Sequence, residues 1–324
     1  MGTTGIPEAA TVSPTRRRVL VGAGAAAGLA VVGAGAGAAM LEGVLPGGVP
    51  LRRELGLTGP DGTVPDIAAG PVVSGLETSR ARRTQVRLIT MAPPGTDASS
   101  LPVCLVLHGR GNDAQGMVTL GLPQFLAAAV RAGLPPFVLA AVDGGDASYW
   151  HRQPDGDDPQ AMLLDEVPGW LRSRGLAAAD RGVPRAVLGI SMGGSGALQY
   201  AIGRGWSAGP GGAVDAVAAV SPAVFTSWAD ARTTGGYATE ADWQAYEPML
   251  RLGRPHGRAL GVWCGQEDPF CPAARTLARE GGAVTDDFPH GEHTDGFWRR
   301  VLPDALAFVG HQLGRPGVAT TAAR

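Results

Sequence analysis

The sequence predicts an α/β fold built on a mostly parallel sheet with helices on both faces. Short apolar runs typical of buried strands alternate with longer stretches typical of helices. The chain has 324 residues, of which 44% are hydrophobic, and this is enough to bury one large core. We find no internal repeat, so the alternation indicates a single globular unit.

The elements follow from these runs in chain order. The predicted strands are 86–91, 103–108, 137–142, 185–190, 216–220, 260–264 and 284–288. The predicted helices are 122–131, 158–174, 195–202, 273–280 and 297–313. Strands that alternate with helices favour parallel pairing, because each helix carries the chain back across one face of the sheet.

Residues 1–41 are predicted to be a twin-arginine-type signal peptide or a retained anchor. Three arginines at 16–18 precede an uncharged stretch rich in Ala, Gly and Val that extends to residue 41. The small residues at 36–38 offer a cleavage site, whereas roughly 20 uncharged residues could also span a bilayer as a membrane anchor. Either alternative predicts an exported protein, secreted or associated with the cell envelope.

The rest of the chain is divided by composition. Residues 42–70 are rich in Gly and Pro and are predicted to be a linker or an N-terminal arm. The main globular domain is predicted over 71–315, with a flexible tail over 316–324. Inside it, residues 222–258 interrupt the alternation with a polar, aromatic-bearing stretch. This stretch is predicted to be either a cap near the carboxyl ends of the strands or a small packed helical insertion.

Charge and cysteine content argue against two classes of ligand. A formal net charge of -2 provides no positive field that would hold nucleic acid, so we expect no nucleic-acid partner. The three cysteines show no paired ligand spacing, so no metal site is predicted. The composition does not predict an oligomeric state.

The pattern G-x-S-x-G occurs around Ser191 and again around Ser207. Ser191 follows the strand 185–190 and precedes a Gly-rich helix start, an arrangement that projects a serine hydroxyl from the top of a sheet. The flanking glycines fit a strained elbow that leaves no room for side chains. Ser207 trails a helix and is interpreted as a coincidence of Gly-rich composition. Ser191 is therefore the predicted nucleophile.

Two backbone N–H groups are predicted to form an oxyanion hole. One belongs to Met192, the residue after the nucleophile, and the other to Arg110, in the turn that follows the strand 103–108. His108 opens that turn but precedes the nucleophile in the chain. We expect it to order the loop rather than to act as the general base.

The acid and the base are predicted from loop positions. Asp268 follows the strand 260–264 and is preferred over Glu267 because it lies at the turn and has the shorter side chain; a structural turn aspartate is the alternative. His293 lies at the entrance of the last helix, where a loop can turn its imidazole toward the nucleophile. His290 is the nearest competitor, and its place at the strand end favours packing or solvent exposure.

Cys264 and Cys271 lie on either side of Asp268. In an exported protein a disulfide between them is chemically allowed and would hold the acid-bearing loop in place. Two buried thiols are the alternative, with Cys104 as a third core thiol. The sequence leaves both alternatives open.

These motifs, taken in order, resemble the esterase D group of α/β-hydrolases, which also includes siderophore esterases and mycolyltransferases. The resemblance covers roughly residues 72–313 and is carried by Gly189–Gly194, Gly265–Asp268, Gly291–His293 and Trp298. It implies an acyl-enzyme mechanism in which Ser191 attacks the ester carbonyl and His293 takes and then donates the proton. It implies no metal or organic cofactor.

The resulting hypothesis is an exported serine esterase that acts on a small-molecule or lipid ester. An acyltransferase of mycolyltransferase type is an alternative, because acyl transfer uses the same triad. A non-catalytic cell-surface binding protein is a second alternative, which the presence of all three triad residue types in order disfavours. Three tryptophans are predicted to contact the substrate: Trp150, Trp228 and Trp298.

Overall fold

The computed structural model describes residues 48–176, 183–206, 214–253 and 258–315. The predicted export signal or anchor and the predicted tail lie outside these residues. The chain divides into two units, Met1–Thr58 and Gly59–Arg324. The described part of the first contains a short helix, α1 (Gly48–Glu54), inside the segment predicted as a linker or arm.

A sheet of eight strands organises the described part of the second unit. The strands run in the spatial order β1-β2-β4-β3-β5-β6-β7-β8. Strand β2 pairs antiparallel with both neighbours, and every other pair is parallel, which confirms the predicted mostly parallel sheet. The strands are β1 (Val72–Ser79), β2 (Thr84–Met91), β3 (Val103–Leu107), β4 (Val138–Val142), β5 (Ala186–Ile190), β6 (Ala216–Val220), β7 (Ala259–Trp263) and β8 (Thr285–Asp287).

Helices connect the strands, and two of them begin next to predicted site residues. Helix α6 begins directly after Ser191, and α10 begins two residues after His293. No helix of the described ranges has both the length and the apolar character that crossing a membrane requires. The helices of this unit are α2 (Ala114–Thr119), α3 (Leu122–Arg131), α4 (Pro159–Ala161), α5 (Val167–Ser173), α6 (Met192–Gly203), α7 (Trp228–Ala231), α8 (Glu240–Tyr246), α9 (Cys271–Gly281) and α10 (Asp295–Leu313).

The helix predicted over 158–174 contains a π-helical turn, Met162–Glu166, between α4 and α5. Pro168 has no N–H to donate to the carbonyl of Leu164, and the helix widens just before it. The guanidinium of Arg204 donates to that carbonyl at 2.5 Å. The freed acceptor is therefore satisfied by the residue that follows the end of α6, the helix after the nucleophile.

The central strands of the sheet, β3 to β7, are buried on both faces. Alternate residues of β3 belong to different hydrophobic clusters: Leu105 and Leu107 pack on one face, and Cys104 and Val106 on the other. A strand buried on both faces reads as a continuous apolar run, which is why the sequence identifies β3 to β7. Strand β1 was not predicted, because it lies at the sheet edge and most of its residues are exposed or half-buried.

Candidate active site

Ser191 occupies a sharp turn between β5 and α6. Its backbone has φ 58° and ψ −121°, a region that costs a non-glycine residue about 1–3 kcal/mol. A Cβ on Gly189 would lie 1.9 Å from the carbonyl oxygen of Gly193, and a Cβ on Gly193 would lie 1.9 Å from that of Leu107. Glycine is therefore required at both positions, since the backbone segments approach too closely for any side chain.

The structure brings Ser191, His293 and Asp268 into one hydrogen-bonded chain. Nε2 of His293 lies 2.8 Å from Oγ of Ser191, and its Nδ1 lies 2.7 Å from Oδ2 of Asp268. The second carboxylate oxygen of Asp268 accepts from the backbone N–H of Phe270 at 2.9 Å. Because Asp268 is buried and bonded through both oxygens, its orientation toward the imidazole is fixed.

Local structure around His293 explains its orientation. The Thr294 side chain caps α10 by accepting from the backbone N–H of Phe297, so the helix starts immediately after the histidine. The imidazole makes edge contacts with Phe270 and Trp298, with ring centroids 5.2 and 5.1 Å away. These two aromatic contacts restrict the movement of the ring, whose nitrogens are hydrogen-bonded to Ser191 and Asp268.

His290, the competing histidine, has a different partner. Its Nδ1 lies 2.8 Å from Oε1 of Glu267, and the other oxygen of Glu267 accepts from the backbone N–H of Gly291 at 2.7 Å. A Cβ on Gly265 would lie 2.1 Å from the carbonyl oxygen of Gly291, so the two loops are in backbone contact here. The Glu267–His290 pair therefore joins these loops.

The turn after β3 lies against the nucleophile. A Cβ on Gly109 would be 3.2 Å from Cβ of Ser191, which places Arg110 next to the elbow. Met192 is the first residue of α6. Neither of their N–H groups is used in a turn or loop hydrogen bond between backbone groups of the described residues. Both are therefore placed as candidate oxyanion donors.

His108 orders this turn, as expected from its position in the chain. Its Nδ1 donates to the carbonyl oxygen of Gly109 at 2.8 Å, and its Nε2 accepts from the backbone N–H of Gly144 at 2.9 Å. Burial lowers the pKa of His108, which favours the neutral ring that this pattern requires. The ring bridges two backbone segments and does not reach Ser191.

A cavity of about 600 Å³ opens onto Ser191 and His293. Its walls combine aromatic rings with polar groups. In addition to the serine and the histidine, the cavity is lined by Gly109, Arg110, Gly111, Asn112, Met117, Tyr149, Ile190, Thr233, Thr234, Phe270, Asp295 and Trp298. We call this space the serine cavity.

Comparison with known proteins agrees with this geometry. The model of the Esterase family, whose description is "Putative esterase", matches residues 79–308. The chain belongs to the Esterase family. The matched segment contains the nucleophile elbow, both loops that carry the acid and the histidine, and the turn after β3. The enzyme is therefore a hydrolase of the esterase type.

Solved structures of α/β-hydrolases share its fold. A ferulic acid esterase has a TM-score of 0.63 at 18% identity, covering 76% of this chain and 100% of its own. An S-formylglutathione hydrolase from Agrobacterium tumefaciens has a TM-score of 0.59 at 16% identity, covering 77% and 98%. MPT51 from Mycobacterium tuberculosis has 0.56 at 17%, covering 76% and 100%. The search of curated proteins gave no match.

The tryptophan predictions separate into three outcomes. Trp298 lines the serine cavity, whereas Trp228, partly buried against the larger hydrophobic cluster, is absent from the described lining. The prediction for Trp150 was wrong, because its side chain is fully buried and cannot meet a substrate. Its indole fills the space that a Cβ on Gly144 or Gly196 would need, and its Nε1 donates to the carbonyl oxygen of His108 at 3.3 Å.

Tyr149, the neighbour of Trp150, is one of the lining residues that the sequence did not identify. Tyr149 and Trp150 both have positive φ, 46° and 61°, so the chain reverses locally and the two rings point to different environments. A Tyr-Trp dipeptide carries no signal for this reversal, since neither residue type favours the left-handed region.

Part of the segment predicted as a cap reaches the serine cavity. A 3₁₀ turn, Arg232–Thr234, contributes Thr233 and Thr234 to the lining. The guanidinium of Arg110 donates to the carbonyl oxygen of Thr234 at 2.5 Å. This contact joins the turn after β3 to the inserted segment, and the function of the segment as a cap stays a prediction.

Cys264, Cys271 and Cys104 are all free, buried thiols in the structure. The disulfide is thus absent from it, and the alternative of buried thiols is the arrangement observed. A hydrogen bond from the Cys264 thiol lowers the pKa of Cys271 to about 7, and the guanidinium of Arg275 acts in the same direction. The same thiol contact and burial raise the pKa of Cys264.

Proposed function

We propose that this enzyme is a serine esterase that hydrolyses carboxylic ester bonds through an acyl-enzyme on Ser191. The observation that carries the proposal is the hydrogen-bonded chain from Oγ of Ser191 through His293 to the buried carboxylate of Asp268. A serine hydroxyl is a weak nucleophile by itself and requires a base oriented by a third group. Here His293 is the base, and Asp268 is the group that orients it.

In the proposed first step, Nε2 of His293 takes the proton of Ser191 as its Oγ attacks the ester carbonyl. The carboxylate of Asp268 holds Nδ1–H of the imidazole and stabilises the imidazolium that forms. The backbone N–H groups of Arg110 and Met192 donate to the oxyanion of the tetrahedral intermediate. His293 then gives its proton to the departing alkoxide, leaving the acyl group on Ser191.

Hydrolysis of the acyl-enzyme repeats these steps with water as the nucleophile. His293 takes a proton from water, and the new oxyanion is held by the same two N–H groups. Collapse of the intermediate breaks the bond to Oγ of Ser191, which takes the proton back from His293, and releases the acid. The volume of the serine cavity lies within the range of small-molecule sites, about 300–1,000 Å³, which favours a small-molecule ester as the substrate.

Covalent labelling tests the mechanism. A fluorophosphonate reagent should modify the wild-type protein on the peptide that contains Ser191, as read by mass spectrometry. Ser191→Ala should prevent labelling and lower turnover of 4-nitrophenyl butyrate by about 10⁴-fold or more. Ser207→Ala, in the other G-x-S-x-G pattern, is the matched control and should label normally. Turnover or labelling preserved in Ser191→Ala would overturn the proposal.

We also propose that the enzyme is exported, from the arginines at 16–18 and the uncharged stretch that follows them. In a host with a twin-arginine pathway, the wild-type chain should be recovered outside the cytoplasm. A variant with Arg16→Lys and Arg17→Lys should stay in the cytoplasm, because the pathway reads the arginine pair. Equal distribution of the two chains would contradict export by this route.

A further inference from the structure

We infer that the Arg110 side chain binds a carboxylate of the substrate, so that the enzyme prefers esters with a negative charge close to the scissile bond. The inference rests on the proposed function, because it assigns a charge preference to the same site. It concerns the guanidinium of Arg110, whereas the proposed oxyanion contact uses only the backbone N–H of that residue.

The first observation is the position of Arg110. Arg110 lines the serine cavity together with Ser191 and His293, and the residue is exposed. A hydrogen bond from Nη1 to the carbonyl oxygen of Thr234 joins the guanidinium to another lining residue of the cavity. A guanidinium has five N–H donors in a planar fork, so this contact leaves donors available for a ligand.

The second observation is that this positive charge has no protein counterion among the described residues. The partner of Arg110 is a neutral carbonyl, and none of the ion pairs found among the described residues includes Arg110. Two arginines elsewhere in the structure do have carboxylate partners: Arg82 pairs with Asp157 at 2.7 Å, and Arg174 with Glu77 at 2.8 Å. Arg110 is therefore held in place without being neutralised.

The acidic groups of the cavity do not cancel this charge. Asp295 lines the serine cavity but lies 3.5 Å from the guanidinium of Arg299. Asp268 is buried beneath His293, to which it is hydrogen-bonded. The charge presented at the surface of the cavity without a paired partner is that of Arg110. An arginine fork matches the geometry of a carboxylate, with two parallel N–H···O bonds.

Tyr149 lines the same cavity and lies within electrostatic reach of the Arg110 guanidinium. Burial raises the pKa of the Tyr149 hydroxyl, while a hydrogen bond with Thr234 and the positive charge of Arg110 act in the opposite direction. Tyr149 belongs to the cavity wall, so the field of Arg110 extends over the space that a substrate would fill.

The carboxylate could belong to the acyl group or to the alcohol, and two pairs of esters distinguish these sources. For the acyl group, the 4-nitrophenyl monoester of glutaric acid is compared with 4-nitrophenyl pentanoate. For the alcohol, the butyrate ester of 4-hydroxybenzoate is compared with that of 4-hydroxybenzamide. In each pair the quantity measured is the ratio of kcat/KM for the charged ester to kcat/KM for the neutral one.

We expect Arg110→Gln to lower this ratio about two- to fivefold in one of the pairs, the range that one partly exposed charge pair contributes. Arg110→Lys should retain part of the preference, since it keeps the charge but loses the fork. Added salt should lower the wild-type ratio in the same pair, because it screens the charge. Arg232→Gln, an exposed arginine that does not line the cavity, is the matched control and should leave the ratio unchanged.

Ratios that are equal in the wild type and in Arg110→Gln for both pairs would overturn the inference. A uniform loss on charged and neutral esters would also overturn it, since that result would assign the side chain to holding the turn after β3. Failure of the proposed function is distinguished by Ser191→Ala: if that variant keeps turning over the neutral esters, the site itself is misassigned.

Discussion

Nδ1 of His290 lies 2.8 Å from Oε1 of Glu267, directly beside the Asp268–His293 pair in sequence. The loop after β7 thus supplies two adjacent carboxylates. The loop after β8 supplies two histidines, and each of them is hydrogen-bonded to one of these carboxylates. Of the two histidines, His293 is the one that reaches the nucleophile, with its Nε2 2.8 Å from Oγ of Ser191. The first pair joins the loops at a half-exposed position.

This arrangement predicts unequal effects of matched substitutions. His293→Ala and Asp268→Asn should each lower kcat on 4-nitrophenyl butyrate by about 10³- to 10⁴-fold, because they remove the base or leave it in the wrong tautomer. His290→Ala and Glu267→Gln should lower kcat far less and act mainly on thermal stability. Circular dichroism and melting curves would verify folding in all four variants. A greater loss of activity in His290→Ala than in His293→Ala would reverse the assignment.

The burial of Trp150 predicts an effect on stability rather than on substrate binding. Trp150→Phe removes the hydrogen bond to His108 and leaves unfilled space next to Gly144 and Gly196. We expect the free energy of unfolding to fall by about 1–3 kcal/mol in chemical denaturation. KM for a neutral ester should stay within about twofold of the wild-type value at a temperature where both proteins are folded. A large rise in KM with unchanged stability would restore Trp150 as a substrate contact.

The buried carboxyl of Glu247, in the inserted segment, should make the stability of the protein depend on pH. Its carboxyl is fully buried, accepts from the hydroxyl of Tyr237 at 3.0 Å, and burial raises its pKa to about 7. The folded state therefore holds a proton that the unfolded chain releases nearer the ordinary carboxyl pKa of about 4.5. Stability from this group is full below the unfolded pKa and falls as the pH rises toward 7, by on the order of 3 kcal/mol.

Glu247→Gln should remove this loss, because an amide stays neutral. Relative to the wild type, its free energy of unfolding should rise between about pH 5 and about pH 8. Glu240→Gln, at the exposed start of α8, is the matched control and should follow the wild-type curve. Parallel curves for Glu247→Gln and the wild type would show that Glu247 does not carry this dependence.

The contact between Cys264 and Cys271 predicts free thiols with unequal reactivity. Alkylation of the non-reduced protein after denaturation should modify all three cysteines. In the folded state, Cys271 should react before Cys264, because its pKa is lowered to about 7 while that of Cys264 is raised. Peptide mass spectrometry reads both results. A linked Cys264–Cys271 peptide from the exported protein would contradict the thiol state.

The sequence predicted the elements that are buried on both sides or marked by glycine. Strand β6 and helix α3 have the predicted bounds, because each is a continuous apolar run or a clear amphipathic stretch. Strand β1 was missed because an edge strand is exposed and lacks such a run. Helix α6 begins at Met192, before the predicted residue 195. Gly193 and Gly194 have low helix propensity, so the sequence does not indicate this first turn, which depends on close backbone packing.

In the candidate site, too, the residues with a local sequence signal were predicted and the contacts between distant loops were not. Chain order and loop position selected Ser191, Asp268 and His293, and the structure places them in hydrogen-bond contact. The pairing of Glu267 with His290 and the exchange of roles between Tyr149 and Trp150 were not predictable. Both depend on how loops that are distant in the chain meet, which no local pattern records.

The contacts around the elbow also determine where this enzyme can be re-engineered. Mutant libraries that include Gly189 or Gly193 would consist almost entirely of misfolded clones, since any side chain there would collide with main-chain atoms. Thr233 and Thr234 face the same reaction centre from a short turn in which Thr233 is exposed. Directed evolution of substrate range therefore has its most permissive targets in the inserted segment, where sequence diversity can accumulate without disturbing the nucleophile.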